Sequence, residues 1–350
     1  MPRNSKKPLT RRQKIVGIPG RIVARAKSFI ARRPHRSFRL TKKRDYKRTL
    51  VLPGYVAFTH QVTKTVWQHR RKFIWLVLLY AALTVVLVGV GSQDTYKTFM
   101  STLSETGSEL FKGNVGQIGQ ATLAFVSIGL SGFSASPTDA QQIFLVLLGL
   151  FVWLITVWML RHLLAGEKVK IRDGLYNAGS PFIPTLVVAA VAAVQLIPIG
   201  LAVVGYSAAN NTGLLLGGVE AMLFWAAVAL LVTMSLYWLT ATFFAMIIVT
   251  IPGTYPFNAL KMAGDMIVGR RLRILLRIAW MFGAAALAGA VIIIPLILID
   301  NGLVSVWPII GSVPVIPTAL MLYGVTSFVW VCGYLYLLYR KVIENDATSA

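Results

Sequence analysis

Cysteine is nearly absent from this sequence. Cys332 is the single one, set in an apolar run. One thiol allows neither an intrachain disulfide nor a cysteine metal cluster. Histidine is scarce as well. His35, His60, His69 and His162 do not pair at metal-ligand spacing, and no His-Glu-x-x-His pattern occurs. No metal or other cofactor is therefore expected. Acid is the third deficit, with 12 Asp and Glu against 35 Lys and Arg. No Gly-x-Ser-x-Gly elbow, Gly-x-x-x-x-Gly-Lys-Ser/Thr loop or paired-carboxylate arrangement is found. The expectation is a protein without a catalytic site.

Apolar sequence is what the chain has in abundance. Of its 350 residues, 56% are hydrophobic, and several runs reach the ~20 residues that a helix needs to cross a bilayer. The pattern predicts an all-α polytopic membrane helix bundle with six spans, at about 73–91, 142–164, 184–206, 225–250, 274–299 and 316–339. The fourth run is nearly continuous from 214 to 251, too long for one untilted crossing, so its start is expected to project or lie on the surface. Segment 118–133 is apolar but short and rich in Gly and Ser, and reads as re-entrant or interfacial. Residues 96–111 carry an apolar helical face that suits an interfacial helix. The first apolar run begins near Phe73, too late for a cleavable signal, and reads as a signal anchor.

Charge is distributed unevenly. Residues 1–72 hold 22 Lys and Arg against the single acid Asp45, a net charge of +21. They form a basic tail, followed by a membrane domain over 73–341, with an outer insertion at 92–141, and a short tail at 342–350. Within the basic tail, 15–29 has the spacing of a short amphipathic helix, and 56–72 is a second candidate. With both termini inside, the inner segments hold 33 basic residues and the outer ones only Lys97 and Lys112, as the positive-inside rule favours. Three partners suit such a tail: the anionic inner leaflet, nucleic acid or the ribosome, and another protein. The leaflet is favoured, because the spans already hold the tail beside it.

Two inner loops carry the candidate contacts. In YPFNALKMAGDMIVGRRLRILLRIAWMFG, a short amphipathic helix with Leu260, Ala263 and Ile267 on one face ends at Gly269. Arg270, Arg271, Arg273 and Arg277 then open the fifth span. With Lys261, these arginines are expected to meet lipid phosphates at the inner headgroup layer. In EKVKIRDGLYNAGSPFIP, Lys168, Lys170 and Arg172 have the same part. The two loops share an echo, Leu175-Tyr-Asn-Ala-Gly179 and Leu260-Lys-Met-Ala-Gly264, which raises a duplicated three-helix unit. Glu220 is the candidate intramembrane carboxylate, unless the helix projects and leaves it among outer headgroups. Asp300, at the outer end of the fifth span, is expected in solvent.

NALKMAGDMIVGRRLRILLRIAWM resembles an element of bacterial six-helix families, the membrane domain of some glycerophosphodiester phosphodiesterases and the YciC-like integral membrane proteins. IRDGLYNAGSPFIPTLVVAAV is similar to their other amphipathic loop. The resemblance covers roughly 140–340. It implies a six-helix fold in a bacterial cytoplasmic membrane, but not phosphodiesterase activity, since no such catalytic domain is present. The whole chain also looks like multi-pass proteins of reduced-genome bacteria. The function expected is that of a membrane organiser, scaffold or assembly factor contacting anionic lipids and membrane-protein partners. A transporter or permease for a lipid or small solute is the alternative.

Overall fold

The computed structural model describes residues 50–88, 139–212, 217–307 and 315–347. The expected helices at 15–29 and 96–111 and the re-entrant segment 118–133 lie outside them. Nine helices follow in order among the described residues: α1 Tyr55–Gln68, α2 Arg70–Leu87, α3 Asp139–Leu164, α4 Ile171–Ala178, α5 Phe182–Asn211, α6 Gly218–Ile248, α7 Pro256–Ile267, α8 Arg271–Val306 and α9 Val315–Ala347. No strand occurs among these residues, so the class is all-α, as expected.

Helices α3, α5, α6, α8 and α9 are long and apolar enough to cross a membrane, which makes this a multi-pass membrane protein. The first expected span, 73–91, differs, and it is described only to residue 88. Helix α2 has 18 residues, and its first turn begins Arg70-Arg71-Lys72. Its apolar part, from Phe73 to Leu87, covers only about 23 Å, short of the ~30 Å hydrocarbon core. The expected helix over 56–72 is likewise broken at His69, which ends α1 and precedes α2. Gly166 and Gly269 stand just beyond α3 and α7 with φ of 84° and 82°, a left-handed conformation that costs glycine nothing and stops a helix.

The nine helices form three units, each a short surface helix followed by two longer ones: α1–α3, α4–α6 and α7–α9. Their packing is cyclic. Helix α4 lies on α3 and α2 of the unit before it, and α7 lies on α6 and α5. Helix α1 lies on α9 and α8, which closes the circle. The first long helix of each unit also packs on the last helix of the preceding unit, α5 on α3, α8 on α6 and α2 on α9. Each of these three contacts carries an aromatic pair: Phe151–Phe182 at 5.9 Å, Phe243–Phe282 at 6.5 Å and Tyr80–Phe328 at 6.3 Å.

Burial repeats in register. The fourth and eighth residues of the surface helices are buried: Phe58 and Val62 in α1, Gly174 and Ala178 in α4, Ala259 and Ala263 in α7. This is the i, i+4 stripe of a helix lying on apolar neighbours. The fourth and seventh residues of the first long helices are also buried: Phe73 and Leu76, Thr185 and Val188, Ile274 and Arg277. The sequence echo is thus part of a threefold pattern. Its shared alanines are Ala178 and Ala263, both on the buried stripe.

Helix α9 stands at the centre, packed against α1, α2, α3, α6 and α8. Half of the apolar window of α3 is buried, against 6% for α6 and 11% for α8. So α3 and α9 form the core, while α6 and α8 present apolar sides outward, as helices in lipid do.

Candidate functional site

The last turns of α3, α6 and α9 and the first turns of α2, α5 and α8 meet at one end of the bundle. Arg161 ties α3 to the residue just beyond α6, donating to the Thr250 carbonyl at 3.1 Å and to its Oγ1 at 2.6 Å. Helices α1, α4 and α7 lie across this end. Every Lys and Arg among the described residues sits on these turns, on the surface helices or on the loops joining them. The opposite end carries Asp139, Glu220 and Asp300.

The two expected loops supply exposed cations here. Lys168, Lys170 and Arg172 are exposed around the start of α4, and Lys261 is exposed on α7. The Lys170 backbone N–H donates to Asp173 at 3.3 Å, which fixes the first turn of α4 and places an acid favourably at its N-terminus. His162 and Glu167 are bonded at 2.6 Å. Exposed apolar side chains stand beside the cations, among them Tyr176, Phe257 and Met262.

The four arginines of the α7–α8 junction divide. Arg273 is exposed. Arg271 is half-buried, its guanidinium 3.9 Å from the centre of the Tyr237 ring, and it donates to the Tyr237 carbonyl at 3.2 Å. Arg270 is only 2% exposed. Its Nη2 bonds the Asp346 carboxylate, and its Nε donates to the Met266 carbonyl at 3.2 Å. Arg277 is 6% exposed. Its Nη2 donates to the Pro53 carbonyl, and its guanidinium lies over the Tyr55 ring at 4.1 Å and near the Phe58 ring at 5.9 Å, an arrangement of cation–π type. Arg270, Ile274, Arg277 and Ile278 form the buried side of this stretch, and Arg273 lies on its exposed flank.

Arg277 belongs to the contact that closes the circle, whereas the partners of Arg270 lie within α7–α9. Phe58 of α1 meets Tyr334 of α9 edge to face at 4.9 Å. Trp280 of α8 donates to Thr59 at 3.0 Å, and Trp330 of α9 donates to Thr63 at 3.1 Å. A strap of irregular chain, 50–54, precedes α1. Asn345 holds it by two bonds, accepting from the Val51 N–H and donating to the Val51 carbonyl, each at 3.1 Å. Five buried side-chain atoms lack a hydrogen-bond partner among the described residues, and three are in this region: Arg270 Nη1, Arg277 Nη1 and the Tyr334 hydroxyl.

Glu220 lies exposed in the first turn of α6, where a carboxylate suits the positive end of the helix dipole. Asp300 differs from expectation. It is 6% exposed, and α8 continues past it to Val306. Sequence reasoning missed Tyr55, Asn345 and Asp346. Their partners are remote in the chain, and the one available signal was two polar residues interrupting the end of a terminal apolar helix. No family model, curated protein or solved structure matches the chain.

Proposed function

We propose that the protein is a non-enzymatic organiser of an anionic membrane leaflet, holding lipids and membrane-protein partners at its basic end. One observation carries this reading: the described cations are confined to one end of the bundle, and Lys168, Lys170, Arg172, Lys261 and Arg273 are exposed there. Cations beside outward aromatic and aliphatic side chains suit the boundary between headgroups and acyl chains. Each close Lys or Arg adds roughly 1 kcal/mol of attraction to an anionic surface. The basic end then faces the cytosol at a bacterial inner membrane, with both termini inside, in keeping with the positive-inside rule. The +21 tail adds to the same field, and leaflet binding takes precedence for it over nucleic acid.

The test is lipid retention. Full-length protein is placed in nanodiscs of equal neutral and anionic phospholipid, re-extracted in maltoside, and its retained lipids are counted by native mass spectrometry. Anionic lipid should be enriched several-fold, and joint replacement of the five exposed cations by Gln should reduce the enrichment. Retained lipid that mirrors the supplied mixture would reject the reading.

A further inference from the structure

The contact that closes the circle is chemically unlike its two counterparts. The seventh residue of the first long helix is buried in all three units, and it is Leu76, Val188 and Arg277. Two units place an aliphatic side chain there. The third places a guanidinium, whose removal from water is costly unless its donors and charge are matched. The match is partial. The contacts of Arg277 are two aromatic faces and one neutral carbonyl, that of Pro53. Its Nη1 and the Tyr334 hydroxyl make no hydrogen bond of good geometry, and the hydroxyl and the guanidinium face each other closely enough for a weak one.

We propose that Arg277 is the receptor for a phosphate group, and that the strap 50–54 fills the receptor when phosphate is absent. The Pro53 carbonyl supplies one neutral acceptor where a phosphate would supply charged ones. Charge-assisted bonds are roughly twice as strong as neutral ones, and the planar fork of arginine can take two phosphate oxygens at once. With phosphate in place, Nη1 and Nη2 both donate, and the Tyr334 hydroxyl is a third donor. The side chains that bond the strap are Arg277 and Asn345. Tyr55, which covers the guanidinium, is itself exposed. Phosphate binding requires that Pro53 and Tyr55 move aside, while Leu50 and Leu52 of the strap pack against the apolar core. In the sequence the strap follows residues 1–49, which hold 18 Lys and Arg. This inference rests on the reading that the basic end faces phosphate headgroups. The same oxyanion chemistry is offered by a phospholipid and by free phosphate.

The experiment is hydrogen exchange of the full chain in maltoside micelles, which contain no phosphate, read at the strap amides of Val51, Leu52 and Gly54. Short-chain phosphatidylglycerol or inorganic phosphate is added at matched ionic strength. Strap exchange in the native chain should accelerate about tenfold with the effective ligand. A response to the lipid alone assigns a lipid phosphate, and a response to both assigns the oxyanion from either source. Arg277→Leu, which installs the residue of the first unit, should abolish the response. Arg277→Lys keeps the charge without the fork and should weaken it. Asn345→Ala removes the acceptor of the Val51 N–H and should raise its exchange without ligand. A strap unmoved by both ligands, or an Arg277→Leu strap that responds like the native one, would overturn the proposal. If anionic lipids stay enriched at the basic end while the strap is unmoved, this inference fails and the organiser reading survives.

Discussion

At the basic end, Val157 and Leu160 of α3, Ile247 of α6 and Leu338 of α9 are fully buried. Away from it, Val219 and Leu223 at the start of α6 and Leu287 and Val291 midway along α8 are largely exposed. The residue types are the same, so composition does not set the difference; the surroundings do. Where chain ends, surface helices and water meet, burying apolar area is strongly favourable. In hydrocarbon the lipid is as apolar as leucine, and helices associate through close fit and polar bonds instead. The two regions should therefore respond to different kinds of substitution.

The largest contrast is expected from one truncation made in both regions. Leu160→Ala removes a fully buried side chain and leaves a cavity, at a cost of about 2–5 kcal/mol. Leu287→Ala, at a position 69% exposed, should change stability little. Unfolding by SDS titration from maltoside micelles measures both. Equal losses would mean that this part of α8 is packed against something other than lipid.

The next effect concerns the Arg270–Asp346 pair. Asp346→Ala leaves Arg270 charged, with its side chain 1% exposed and one carbonyl as its remaining partner. Breaking a buried pair this way costs about 3 kcal/mol. Arg270→Ala should cost less, because the Asp346 side chain is 37% exposed and can be solvated. The same titration checks the asymmetry, and the reverse order would show that packing of the Arg270 stem outweighs its charge.

Away from the basic end, close fit takes over. Tyr323 of α9 lies against Gly289 of α8 and donates its hydroxyl to the Ala285 carbonyl. A Cβ at Gly289 would stand 2.8 Å from Tyr323 Cε1 and 3.1 Å from Cζ. Gly289→Ala therefore overpacks this contact, at roughly 1–3 kcal/mol. The double variant Gly289→Ala with Tyr323→Phe keeps the ring and should recover little; with Tyr323→Ala the steric part should vanish.

Much of this plan could be read from sequence, and the exceptions are instructive. The long apolar runs marked the spans, Gly269 marked the break before α8, and the i, i+4 pattern marked α7. Helix α2 read as a full span because the apolar run continues to Gly91 in the sequence, whereas the helix ends at Leu87. The first unit stayed hidden because YVAFTHQVTKTVWQ shares no echo with the other surface helices. What it shares is the position of two buried residues, and burial appears only after folding. The division of the arginines was also illegible. Arg270 and Arg273 look alike in sequence, and what separates them is Asp346, brought close by the fold. Arg277 likewise depends on Pro53 and Tyr55, more than 200 residues away, with the Arg277–Pro53 separation being 224.

The smallest effect is expected between the two long helices of the second unit, where a polar pair lies amid apolar surroundings. Thr242 of α6 donates to Gln195 of α5 at 2.6 Å, and Thr242 is itself fully buried. Thr242→Val preserves shape and removes the bond. Interhelical hydrogen bonds in membranes are worth about 0.6 kcal/mol on average, because an unfolded helix in lipid also finds partners for its polar groups. A loss of that order is expected, well below that for Leu160→Ala. Pairing it with Gln195→Leu in a double-mutant cycle isolates the bond from the change in helix propensity. A coupling above about 2 kcal/mol would exceed what such bonds deliver. It would mean that this part of α5 and α6 is held as tightly as the basic end, and that the contrast between the two regions is one of exposure alone.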